Sequence, residues 1–340
     1  MGNPEGGGYN RKLDVEGERN AFLTDAYEKS YSRALREHHP EIGKTIEYIR
    51  QSIDWEILMP LLIARLRDAG VPEERFNLGP LTSEMPARPT DDYAAVYNAI
   101  SNTVGFSSFD DNFMAAVRLL KKNGSLPRLL TMKIQLVMIH EICHALSENT
   151  IKSQSVNKNQ VRMSGKSGFS QVFDITEKTK RGNEKKRQPI KFYEALNEAV
   201  TQRLAEEIMV EYSRIAEVKH GEHFVASFIE KMSKRLWSYT IFANQLDNIC
   251  KRVAEQSGKT QEEIWRNFKR AYFKNPESFI AETQAVLENI YGQDFWKKYQ
   301  RFGNGESMQG IGAFDSEHEF LHPRTYPERW LAQLGIAKNT

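Results

Sequence analysis

The sequence predicts an α+β fold that is mostly α-helical, with a small antiparallel sheet and a helical subdomain towards the C-terminal end. Three observations lead there. Apolar residues recur at three- and four-residue spacing over most of the chain, the pattern of helices that bury one stripe. Period-two alternation is confined to the middle, roughly residues 93 to 191. Between those strands lies an almost wholly apolar run, Leu136–Ser147 (LVMIHEICHALS), which holds His140, Glu141 and His144. Polar groups on such a helix need partners, because burying them unpaired is costly.

At 340 residues, 40% hydrophobic and 27% charged, the chain has apolar material for one large domain or two ordinary ones. A net charge of +2 gives no chain-wide field that points to nucleic acid or a membrane as partner. Cys143 and Cys250 are the two cysteines, too few for a disulfide framework and suited to a reducing, cytoplasmic setting. The start, MGNPEGGGYN, lacks the apolar core of a signal peptide, and Gly6 stands where a myristoylation signal needs Ser or Thr. No uncharged apolar run reaches the ~20 residues that span a bilayer, so no membrane partner is expected.

Taken in order, residues 1–17 read as a disordered tail with nothing to bury. Residues 18–90 read as an N-terminal helical region and linker. Phe22, Leu23, Ala26, Tyr31 and Leu35 mark a helix from Arg19 to His39, and a second helical stretch covers Ile42 to Ala69. Pro72, Pro80, Pro86 and Pro89 make the following segment a long connection. Residues 91–302 read as the main domain. It opens with two short strands around a turn in YAAVYNAISNTVGFSS, residues 93–108, and continues with a helix that ends near Asn123-Gly124. Ser125 and Pro127 begin the helix that carries His140, Glu141 and His144.

Residues 151–191 differ in kind. Eleven Lys or Arg stand against three acids, a local excess of eight in a chain whose total is +2. Alternation around Val161–Met163 and Val172–Ile175 suggests an inserted β-hairpin with a basic tip near Lys178–Arg187. Such charge admits an acidic partner or nucleic acid, but aromatic residues for stacking are sparse and a solvated tip is the plainer reading. A strong helix follows over Phe192–Tyr212, then a series of amphipathic helices to about Phe302, with Leu246 and Ile249, then Trp265, Phe268 and Tyr272, then Phe295 and Trp296 on their inner faces. Residues 303–340 read as a loosely structured tail.

The chemistry lies in H-E-x-x-H. On a helix, positions 140 and 144 lie about 40° apart around the axis, so both imidazoles point the same way, with Glu141 about 100° from His140. Zinc in a hydrolytic site takes three protein ligands and leaves the fourth position for water, whose pKa the ion lowers to about 7. Glu141 then stands where a general base must, able to take a proton from that water and return it to a leaving amine. The third ligand is not a nearby histidine, because none occurs between His144 and His220. Ser147 and Thr150 occupy the positions where the metzincin pattern has Gly and His. Glu198, in ALNEAVTQRLA, is the candidate: Thr201, Ala205 and Met209 share its helical stripe, which is small and partly apolar, whereas Glu206 and Glu207 look outward. The plainer alternative for Glu198 is an ordinary solvated helix glutamate.

HEICHALS followed by a glycine-containing segment and then LNEAVT resembles the gluzincin metallopeptidases, in particular small bacterial HExxH…NE proteins, over roughly residues 93–250. The resemblance implies a zincin-like core, one zinc ion held by His140, His144 and Glu198, and Glu141 as catalytic base in the hydrolysis of peptide bonds. It implies supporting roles for Asn197 and for Gln202, which stands where many relatives carry an acid. It also implies a residue that stabilises the oxyanion, for which Tyr239 and Tyr193 are candidates, and makes the Tyr97–Phe106 strand region an edge for an extended peptide or protein substrate. A catalytically inactive zincin-like binding or regulatory protein is the competing expectation.

Overall fold

The computed structural model describes residues 40–72, 95–98, 103–106, 111–147, 149–157, 160–178, 184–186, 190–220, 240–274, 276–293 and 295–300. The expected tail over 1–17, the helix over 19–39, most of the proline-rich connection and the C-terminal tail lie outside these residues. Within them the chain is mostly helical with antiparallel sheet, as its patterning predicts.

Helix α1 (Pro40–Gln51) begins at proline, which suits a first turn because its missing N–H has no partner to lose there. It buries Ile42, Ile46 and Ile49. The expected single helix over 42–69 is divided: α2 (Trp55–Asp68) starts afresh at Asp54, whose carboxylate accepts from the Glu56 N–H at 3.0 Å. Strands β1 (Ala95–Asn98) and β2 (Thr103–Phe106) form an antiparallel hairpin, with Ala95 opposite Phe106 and Tyr97 opposite Val104. This hairpin packs on α4 (Arg128–Leu146), which follows α3 (Asp111–Asn123).

Helix α4 is the buried axis of the domain. By length and composition it is apolar enough to cross a membrane. In the fold its apolar surface is covered by protein instead, and from Ile134 to Ser147 every residue except Val137 is buried. It ends at Ser147, whose hydroxyl donates to the His144 carbonyl at 2.7 Å.

The basic segment is more elaborate than one hairpin. Strands β3 (Asn149–Asn157), β4 (Gln160–Ser167) and β5 (Ser170–Lys178) form an antiparallel meander, and β6 (Glu184–Lys186) and β7 (Ile190–Phe192) both pair with β5. Strands β5 and β6 pair with Lys178 opposite Glu184 inside a five-stranded sheet, and most of the expected basic tip lies outside the described residues. Strand β3 reads NTIKSQSVN, polar on both faces, so its sequence has little of the apolar alternation that marks a strand. Backbone pairing along β4 supplies what the side chains do not.

Helix α5 (Glu194–His220) runs past the expected end at Tyr212 and packs on α4 and α2 and on α6 (Thr240–Ser257). Helices α7 (Gln261–Phe273), α8 (Pro276–Tyr291) and α9 (Phe295–Tyr299) complete the expected C-terminal helical part. Leu246, Ile249, Trp265, Phe268, Tyr272, Phe295 and Trp296 are all buried there, in one core continuous with α4 and α5. Helix α7 opens with a reciprocal capping box between Thr260 and Glu263.

Candidate metal centre

Helices α4 and α5 meet where His140, His144 and Glu198 face one another. His140 Nε2 lies 3.1 Å from His144 Nε2 and 3.1 Å from Glu198 Oε2, and His144 Nε2 lies 3.4 Å from Glu198 Oε1. Among the described residues this is the group whose ligand atoms converge closely enough to hold a metal ion. Ligand bonds of ~2.0–2.1 Å in a tetrahedron put neighbouring ligand atoms about 3.3–3.4 Å apart. The contacts of 3.1–3.4 Å are of that size, with His140 facing one Glu198 oxygen and His144 the other, and one ligand atom from each residue lies within 4.8 Å of the others. Two imidazole nitrogens face each other here beside a carboxylate, a donor set that a cation satisfies and that repels itself without one or a proton.

Burial raises the Glu198 carboxyl pKa, but the adjoining His144 and His140 outweigh burial and hold it well below the usual carboxylate range. A carboxylate kept ionised at any physiological pH is what a cation ligand must be. Its side chain is 15% exposed against 5% for His140, so the triad is most open on the Glu198 side. Glu141 is buried on α4, next to His140 in the chain.

The two histidines are supported differently. His140 Nδ1 lies 3.1 Å from Gln202 Oε1, and Gln202 Nε2 donates to Glu206 Oε1 at 2.8 Å. His144 Nδ1 faces Thr201 Oγ1 at 3.3 Å, Asn197 Nδ2 at 3.3 Å and the Tyr272 hydroxyl at 3.5 Å. The Thr201 hydroxyl donates to the Asn197 carbonyl at 2.7 Å and so accepts from Tyr272 at 2.8 Å. If His144 Nε2 serves a metal, its ring proton sits on Nδ1, where the Thr201 and Tyr272 hydroxyls can accept it and the Asn197 NH2, a donor, cannot. Asn197 also reaches the sheet, where its Oδ1 accepts the Phe169 N–H at 2.9 Å and pins the β4–β5 turn behind the site.

That turn fits closely. Gly168 has φ +56°, and a Cβ there would lie 2.5 Å from the Tyr272 ring and 2.6 Å from Asn197 Oδ1. Only glycine meets both demands. Ser167 Oγ also lies 3.3 Å from Ser147 Oγ at the end of α4. The sheet thus reaches the back of the triad through its β4–β5 turn.

Of the residues picked out from the sequence, His140, His144, Glu198, Gln202 and Asn197 come together. Tyr239 lies outside the described residues. Tyr193 is engaged elsewhere: it has φ +57°, its hydroxyl accepts from Gln300 Nε2, and its ring packs 5.5 Å from Trp296. Sequence reasoning missed Tyr272, Thr201, Gly168 and Glu206 as parts of the site. Thr201 lies three residues past Glu198 and was visible on its stripe; Glu206 completes the same face two turns on. Tyr272, 128 positions from His144, reads in sequence as an ordinary core aromatic. Cys143 is buried with its thiol pKa raised by that burial, and Cys250 is pushed up to about 12 for the same reason; both are free thiols with no redox signature.

No protein-family model, no curated protein and no solved structure matches the chain.

Proposed function

We propose that the protein is a zinc-dependent peptidase of the gluzincin type, with His140, His144 and Glu198 as ligands and Glu141 as general base. The observation that carries this reading is the convergence of His140, His144 and Glu198, with contacts of 3.1–3.4 Å, from H-E-x-x-H on one helix and a glutamate on a second. When bound, zinc supplies Lewis-acid polarisation of a water and of the scissile carbonyl.

The chain's own residues do the rest. Glu141 takes a proton from the attacking water as the new C–O bond forms, then delivers it to the amine nitrogen as the C–N bond breaks. Glu198 stays ionised, and its neighbours hold the imidazoles in place. Burial of Glu141 and His140 keeps bulk water from competing for the transferred proton. The β1–β2 hairpin packs against α4, and pairing of an extended peptide with one of its strands would suit a peptide or protein substrate. Two buried free cysteines suit a cytoplasmic setting.

The test is cleavage of a mixed peptide library by the zinc-loaded chain. Glu141→Gln is expected to keep the metal and lose at least about 100-fold in kcat/KM. Tight zinc with no cleavage of any peptide would replace this reading with that of a zincin-like binding protein.

A further inference from the structure

We infer that Glu206 is a positioning residue for the metal centre, selecting through the Gln202 amide the tautomer of His140 that presents Nε2 to the ion. The inference rests on the reading of His140, His144 and Glu198 as metal ligands, and it assigns a role to a residue outside the motif.

Residues 198, 202 and 206 are spaced by four on α5, so they form one stripe: ligand, amide, carboxylate. An amide has one accepting end and one donating end. Gln202 Nε2 donates to Glu206 Oε1 at 2.8 Å, an oxygen that can accept whether or not the other one carries a proton, so the NH2 end faces Glu206. The carbonyl end is then turned to His140 Nδ1, 3.1 Å away. A carbonyl oxygen only accepts, so Nδ1 carries a proton. With Nδ1 committed to the amide, Nε2, the atom that faces Glu198 and His144, is the one an ion can take.

Among the described residues, Glu206 is the group that holds the amide in this sense. Turned over, the amide would place NH2 against Nδ1 and favour a proton on Nε2, where the ion must bind. The charged groups next to Glu206 are committed in other directions. Arg203 Nη1 lies 2.6 Å from Asp247 of α6, and the guanidinium sits 4.2 Å over the Trp265 ring. Glu207 accepts from Trp265 Nε1 at 2.7 Å and lies 3.8 Å from Lys269 of α7. Glu206 is thus the member of this cluster directed at Gln202.

Two readouts on Glu206→Leu and Glu206→Gln test this. Ring-nitrogen NMR of the metal-free, histidine-labelled protein is expected to show a proton on His140 Nδ1 in the wild type, whether or not the Glu198 carboxylate also holds one on Nε2. In Glu206→Leu the proton should move wholly or partly to Nε2, with the isosteric Glu206→Gln shifting less. Zinc affinity by chelator competition should fall about 10–100-fold in Glu206→Leu, the size expected when the partner of a ligand histidine is lost. In a Gln202→Leu background the same change should cost no further affinity, because the link to His140 is already cut. An unchanged His140 tautomer in Glu206→Leu, or an equal affinity loss in both backgrounds, overturns the inference. A wild-type chain that holds no zinc defeats the ligand reading instead, and the metal-free spectra still decide the role of Glu206.

Discussion

The two sides of the triad are built from different materials. On the His140 side a single amide connects the imidazole to a carboxylate, with amide and carboxylate four residues apart on α5. On the His144 side the support is neutral and comes from three elements: Asn197 and Thr201 of α5, Tyr272 of α7, and the β4–β5 turn pressed in behind them. The first side ties its histidine to a charged or chargeable group through one amide. The second sets geometry, because its parts are locked by packing and shared hydrogen bonds. Disturbing the first should therefore change metal affinity with little loss of fold, and disturbing the second should change the fold first.

The largest effect is expected at Gly168. Alanine there combines an unfavourable φ with a Cβ overlapping Tyr272 and Asn197, so Gly168→Ala should cost about 2–5 kcal/mol in urea unfolding. A loss below about 0.5 kcal/mol would mean that the turn is not seated against the site, and the contrast between the two sides would fail. Tyr272→Phe is milder. It removes the hydrogen bond to Thr201 without stranding a donor, since that hydroxyl still donates to the Asn197 carbonyl. It should cost about 1 kcal/mol in thermal unfolding. Zinc affinity should change less than in Glu206→Leu; the reverse ranking would invert the comparison. Thr260→Ala breaks the capping box of α7, the helix that holds Tyr272, and should also cost about 1 kcal/mol with zinc affinity unchanged by chelator titration.

The smallest effect is a pH slope. Burial raises the Glu206 carboxyl to about 7 from its ordinary 4.5, with Asp247 and Glu207 adding to the rise and Gln202 and Arg203 opposing it. Between those two values the folded chain binds a proton that the unfolded chain releases. Glu206 therefore contributes stability below pH 4.5 that is lost as pH rises through about 7. Chemical denaturation of the metal-free protein should show the wild type losing stability across that window relative to Glu206→Gln, by an amount reduced by the partial exposure of the group. Parallel curves would remove the buried carboxyl from the account.

Much of the site is legible in the sequence, for physical reasons. His140, Glu141 and His144 are local, and a helix converts their spacing into a shared face without help from the rest of the chain. Glu198, 54 residues beyond His144, is reachable because its own helix has a partly apolar stripe and histidines are lacking nearby. The helical C-terminal part is legible from aromatic spacing in α7 and α9. What stays hidden is long-range or weakly patterned. Tyr272 looks like any buried aromatic until α7 docks on α5. Strand β3 is polar on both faces, so a five-stranded sheet reads as one hairpin. Glu206 looks like a solvent-facing acid because a helical wheel does not show that Gln202 draws it towards His140.

The central claim is that three residues from two helices form one zinc site. Metal content by mass spectrometry, after zinc loading and exhaustive dialysis, tests it most directly when wild type and Glu198→Ala are compared side by side. About one zinc per wild-type chain is expected, and less than about a tenth of that in Glu198→Ala, with both chains folded by circular dichroism. Equal zinc in the two proteins, or none in the wild type, would contradict it.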